Sequence, residues 1–118
     1  MNVLGSLAIV RSTDRHAAVR RYQALFGVPP LNEFPIADRK LDVAVFPGLS
    51  VLSGPPSALA PLADLRATVF VGSLREAEVE LHQAGWSTEG PFGAGASLLA
   101  RDPDGNLIEF VENLAEEQ

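Results

Sequence analysis

One order of elements occurs twice in this chain, and that repetition constrains its architecture more than any composition figure does. Residues 3–10 (VLGSLAIV) form a short apolar run that reads as a buried strand. Ser12, Thr13 and Asp14 then offer side-chain oxygens that cap a helix start. The following helix carries Ala17, Ala18, Tyr22, Leu25 and Phe26 at helical spacing; Gly27 suits its C-terminal cap, and Pro29-Pro30 forbids continuation. Residues 31–37, 40–46 and 49–53 read as three strands. Residues 54–63 (GPPSALAPLA), with Pro55, Pro56 and Pro61, read as an extended, semi-rigid linker.

The order then restarts. Residues 67–71 are strand-like, Ser73 caps a helix carrying Ala77, Val79, Leu81 and Ala84, and Gly85 ends it. Residues 86–92, 96–101 and 107–111 read as three more strands. Residues 4–10 lie over 65–71, and Gly27 lies over Gly85. Carrying the helix-end offset forward sets Val51 opposite Glu109. A long unit occurring only twice indicates a pseudo-symmetric pair, not a solenoid. The expected fold class is α+β, built of paired βαβββ modules in one domain of 118 residues: module 1 over about 3–53, the linker 54–63, and module 2 over about 64–112.

Composition narrows the function classes. There is no cysteine, so disulfides and thiolate chemistry are excluded and a cytoplasmic location is expected. The net charge of −6 disfavours a nucleic-acid partner. No apolar run approaches the ~20 residues of a membrane span, and no secretory signal pattern opens the sequence.

The richest local pattern is Asp102-Pro103-Asp104-Gly105-Asn106, a tight turn between two apolar runs, followed by Glu109, the lone carboxylate within the apolar run 107–111. Together with the helix end Arg21-Tyr22-Gln23-Ala24-Leu25-Phe26-Gly27, this hairpin resembles the vicinal oxygen chelate superfamily, which includes glyoxalases, extradiol dioxygenases and bleomycin-resistance proteins. The resemblance covers nearly the whole chain. It implies modules whose sheets curve around a shared cavity, a metal-ligand role for a glutamate at the place of Glu109, and homodimers. A ferredoxin-like sandwich, with its βαββαβ order, does not match the strand count.

Strand alternation puts Leu107, Glu109 and Val111 on one face. The repeat adds Leu4, Ser6, Ala8 and Val10 from the first strand, Leu49, Val51 and Ser53 from the fourth, and Ala67, Val69 and Val71 from the fifth. The resemblance would place metal ligands at Ser6, Val51, Ala67 and Glu109. Only Glu109 is a ligand type, and catalytic zinc takes three protein ligands, so neither metal nor other cofactor is expected. His16 falls in the first turn of one helix and His82 near the end of the other, outside the cavity strands. Ser50, Ser53 and Ser97 have no histidine in sight to activate them.

The candidate ligand-binding residues are therefore Glu109, Ser6, Val51, Ala67, Val69 and Leu107, joined by Trp86 and Phe92, which flank Gly93-Ala94-Gly95, read as a flexible loop at the cavity mouth. Phe34 and Phe46 are assigned to core packing. Three readings of Glu109 stay open: a family relic bonded to Ser6, the polar anchor of a partly apolar ligand, or a general base, since burial disfavours its charged form. The first function expected is metal-free small-molecule binding. The alternatives are an enzyme of lyase, isomerase or dioxygenase type using Glu109 or an atypical metal site, and a structural role at a dimer interface. Open sheet edges favour a homodimer.

Overall fold

Polar caps and glycines delimit both long helices as the sequence predicts. Asp14 accepts from the Ala17 N–H at 3.0 Å and Ser73 from the Glu76 N–H at 3.2 Å. At the far ends Gly27 (φ 74°) and Gly85 (φ 88°) take the left-handed backbone that a side chain would resist. The computed structural model describes residues 1–93 and 95–112. Its elements are β1 (Val3–Ser12), α1 (Arg15–Phe26), β2 (Asn32–Ile36), β3 (Leu41–Phe46), β4 (Leu49–Ser53), α2 (Pro56–Leu59), β5 (Leu65–Val71), α3 (Leu74–Gln83), β6 (Ser87–Phe92), β7 (Ser97–Arg101) and β8 (Leu107–Glu112). The chain is α+β and runs through βαβββ twice, as expected. No described helix is long and apolar enough to cross a membrane.

The predicted linker is not simply extended. It holds α2 and a 3-10 turn over Ala60–Leu62, and it buries Leu59 and Leu62. Pro56 stands at the first helical position, where its missing N–H would have had no partner anyway.

Two compact units emerge, one of Leu7–Asp64 and the other of Met1–Ser6 with the described residues from Leu65 onward. Strand β1 contributes to both. In the first unit the strand order is β2–β3–β4–β1, with β1 parallel to β4 and the other pairs antiparallel. Its core joins Ala18 of α1 to Ala44, Phe46 and Val51, with Val10, Val19, Tyr22 and Leu49 packed around them. Leu25, expected in this core, is 72% exposed. The buried stripe of α1 runs through Ala18, Val19 and Tyr22, and in the last turn Phe26, not Leu25, meets Phe46, with ring centroids 5.8 Å apart.

In the second unit β5 is parallel to β8, and the order continues to β7 and β6 by antiparallel pairs. The start of β1 lies beside β5, and the Asn2 carbonyl accepts from the Gly72 N–H at 2.9 Å. The core joins Leu74, Ala77 and Leu81 of α3 to Val71, Leu98, Ala100 and Phe110. Val79 and Ala84, expected on that stripe, are exposed; Val79 falls two residues beyond Ala77, on the far side of the helix. Glu112, at the end of β8, accepts from the Leu74 N–H at 2.9 Å and so satisfies a donor of the first turn of α3.

Candidate functional site

The closing hairpin aligns the site. Asp102 Oδ1 accepts from the N–H groups of Asp104 and Asn106, and Oδ2 from the Asn106 side-chain amide, each at 2.9 Å. The Gly105 N–H donates to the Asp102 carbonyl at 2.9 Å, and Arg101 Nη1 to the Gly105 carbonyl at 2.8 Å. Hydrogen bonds from Asn106, its side chain first and then its backbone, hold the Asp102 carboxyl below its ordinary value. The turn locks the β7–β8 register, which pairs Leu99 with Glu109.

Glu109 stands in a row of four residues across the second unit. Thr68 of β5 is its in-register neighbour on one side and Leu99 of β7 on the other, with Glu89 of β6 beyond Leu99. In-register residues share a sheet face. The Thr68 hydroxyl donates to Glu109 Oε1 at 2.9 Å. Thr68 is buried at 6% exposure, whereas Glu109 is half-buried. The neighbouring rows place Leu65 with Leu107, and Phe70 with Val111, Ser97 and Phe92, on the same face. Leu65, Leu99 and Leu107 are buried. A carboxylate and a hydroxyl thus sit among buried leucines, on a face that Glu89, Ser97 and Arg101 also share.

The structure places the predicted site residues unevenly. Leu107 and Phe92 share the face of Glu109. Ser6 is exposed, in the same unit. Val51 is not on an open face: it is fully buried against α1, and Val10, its register partner, packs with it. Val69 packs into the α3 core, and Ala67 pairs with Ile108, which packs there too. Trp86 meets Phe110 edge-on in that core, with ring centroids 6.0 Å apart. Of the loop 93–95, Ala94 lies outside the described residues.

The physical cause of these displacements is a one-residue error of phase. Both faces of β1, β4 and β5 carry aliphatic residues, so alternation does not say which face meets the helix. In β5 the pairing slips between Leu65 and Ala67, where Arg66 is an extra residue. The counted repeat runs through that bulge without registering it. Sequence reasoning missed Thr68, Leu99 and Glu89. Thr68 did carry a signal, as the one hydroxyl in an aliphatic strand.

The metal chemistry of the fold family does not fit this row. Thr68, Glu109, Leu99 and Glu89 provide one hydroxyl and two carboxylates separated by a leucine, whereas catalytic zinc takes three protein ligands around one point. Among the described residues, no three His, Cys, Asp or Glu side chains gather as a metal site. His82 is engaged elsewhere, with Nε2 2.7 Å from the Thr88 hydroxyl. His16 borders a shallow concavity of about 330 Å³ with Arg15, Val19, Arg20 and Glu33, where Arg15 and Glu33 form an ion pair at 3.0 Å.

No family model and no curated protein matches this sequence. Solved structures do match. An uncharacterized protein from Methanosarcina mazei is 28% identical with a TM-score of 0.86, over 96% of this chain and 94% of that one. Methylmalonyl-CoA epimerase from Mycobacterium tuberculosis is 19% identical with a TM-score of 0.73, over 93% of this chain and 88% of that one. Methylmalonyl-CoA epimerase from Streptomyces coelicolor, in complex with 2-nitronate-propionyl-CoA, is 16% identical with a TM-score of 0.66, over 90% and 94%. The fold is that of the vicinal oxygen chelate superfamily.

Proposed function

We propose that this chain is a small-molecule-binding protein that takes a partly apolar ligand on the Glu109 face without a metal, with Glu109 as the polar anchor. One observation carries the reading: a half-buried carboxylate, held by the hydroxyl of Thr68, on a face lined by Leu65, Leu99 and Leu107. The apolar residues supply area, and the carboxylate orients a ligand donor. The similar epimerases support a small-molecule partner, one of them being a complex with a CoA compound.

A thermal-shift screen of a small-molecule library, with metals included, finds binders because a ligand of the native state raises the unfolding midpoint. Titration of a hit into Glu109→Gln then tests the anchor. A hydrogen bond to a charged group is worth about 1.5–3 kcal/mol, so binding is expected to weaken roughly tenfold or more. Unchanged affinity for every hit overturns the reading.

A second reading is proton transfer by Glu109 on an acyl-CoA, favoured by the activity of the similar epimerases. Turnover of methylmalonyl-CoA that depends on pH and is lost in Glu109→Gln would establish it; no turnover of that probe would set it aside. We also propose that the protein is a cytoplasmic homodimer. The lack of cysteine supports the location, and the exposed apolar side chains of Leu25, Val28 and Leu31 support the dimer.

A further inference from the structure

We propose that the basic outer face of α1 is a docking surface for a second copy of this chain, and that it seats on the acidic outer face of α3 in that copy. This deepens the homodimer reading above and rests on it. Charge is divided unevenly along the chain. Residues 7–64 carry six of the nine Lys and Arg side chains and five of the fifteen Asp and Glu, a net +1; the remainder carries three and ten, a net −7.

The two long helices concentrate that contrast at matching positions. Ala18 and Ala77 are each fully buried and mark the inner sides of α1 and α3. Counted from them, the same outward positions hold Ala17, Arg20, Arg21 and Ala24 in α1, and Glu76, Val79, Glu80 and Gln83 in α3. All but Ala17 are exposed. Helix α1 contains no acidic residue, whereas α3 contains Glu76, Glu78 and Glu80. Each helix also presents one exposed large aliphatic residue. Leu25, 72% exposed, lies one turn beyond Arg21, and Val79, 52% exposed, stands between Glu76 and Glu80. With Ser73 and Arg75, these three residues of α3 line a shallow concavity of about 550 Å³.

A second copy is the occupant that this pairing of faces selects. An aliphatic side chain flanked by arginines meets one flanked by glutamates, and the alanines of α1 leave room for Val79. Like faces repel: α1 against α1 opposes arginines, and α3 against α3 opposes glutamates, so charge leaves α1 against α3 as the complementary contact. Repeated about a two-fold axis, that contact closes a dimer. Other charges on the two helices do not reverse the contrast. Arg15 is paired with Glu33, the Met1 ammonium meets Glu80, and α3 holds one arginine, Arg75, against its three glutamates.

Sedimentation equilibrium of the unaltered chain and of two charge-reversed variants tests the contact. Arg20→Glu with Arg21→Glu makes both helix faces acidic; Glu76→Lys with Glu80→Lys makes both basic. Each variant alone is expected to be monomeric where the unaltered chain dimerises. An equimolar mixture is expected to recover the dimer, because every α1–α3 contact in it pairs opposite charges. Raising NaCl from about 0.05 M to about 1 M, which shortens screening to ~3 Å, is expected to weaken the unaltered dimer roughly tenfold. Either variant dimerising alone as tightly as the unaltered chain, or a mixture of folded variants that stays monomeric, overturns this contact while the homodimer reading stands. An unaltered chain that is monomeric at every concentration overturns both. Glu76 lies in the first turn of α3, where a lysine opposes the helix dipole. If that variant does not fold, Glu76→Gln with Glu80→Gln replaces it; a roughly tenfold weaker dimer is then expected, and an unchanged dissociation constant overturns the proposal.

Discussion

At the scale of single residues, Val51 and Leu25 show how position overrides apolar character. Val51 has no exposed surface and touches the core around Ala18 and Phe46, whereas Leu25 is 72% exposed. Deleting buried methyl groups costs transfer energy plus a cavity. Val51→Ala is therefore expected to destabilise by about 2 kcal/mol, and Leu25→Ala to stay within about 0.5 kcal/mol, both read from urea midpoints at constant m-value. A Val51→Ala loss as small as that of Leu25→Ala would put Val51 back on an open face. The same contrast explains what the sequence hid about the site. Glu109 was legible because a carboxylate inside an apolar strand is conspicuous, and Leu107 followed by alternation. Val51, Ala67, Val69 and Trp86 were misplaced because aliphatic and aromatic residues suit either face of a strand covered by a helix. Thr68 and Glu89 emerge only once the Arg66 bulge and the β6 pairing are known.

At the scale of elements, the most legible piece was the hairpin, whose chemistry is all local. Asp102 accepts three hydrogen bonds from within its own turn, and its carboxyl is held below the ordinary value of 3.8. A carboxyl with a depressed folded value contributes stability above its unfolded value and loses that contribution as pH falls through the folded one. Asp102→Ala is thus expected to lower Tm at neutral pH. The gap to the unaltered protein should begin to close below about pH 4 and be gone once the folded carboxyl is protonated. Melting curves from pH 7 to pH 2 measure it; a gap independent of pH would show that the charged form of Asp102 does not matter. Helices α1 and α3 were legible for the same local reason, through Asp14, Ser73 and the two terminal glycines. Helix α2 was not, because Pro55, Pro56 and Pro61 signal extended chain unless the burial of Leu59 and Leu62 is known.

At the scale of the whole molecule, the repeat predicted the topology well. Each half closes with its first strand parallel to its last, β1 with β4 and β5 with β8. Tertiary pairing of that kind follows from element order and short connections, which the sequence displays. Subunit association is a separate matter. Leu25 and Leu31 are 72% and 67% exposed, and Val28 and Phe34 are also open. Burying such side chains between two copies is favourable, and a stable interface needs at least ~1,200 Å² in total. Sedimentation equilibrium at micromolar concentration is expected to show a dimer of the 12.5 kDa chain. Leu25→Asp combined with Leu31→Asp should move it toward monomer. A monomer at every concentration in the unaltered protein would end the proposal.

The division of β1 between the two units has a consequence for any attempt to take the molecule apart. A cut between Asp64 and Leu65 separates the halves on paper, but the second fragment then lacks Met1–Ser6, the piece of its own unit that precedes the cut by a whole module. The first fragment, by contrast, keeps the whole of its own unit, Leu7–Asp64. In a circular permutant opened at Leu65, with the old ends joined, each unit becomes one uninterrupted stretch of chain. The linear order of this chain is thus one of two ways of writing the same pair of units, and it is the one in which the first unit interrupts the second.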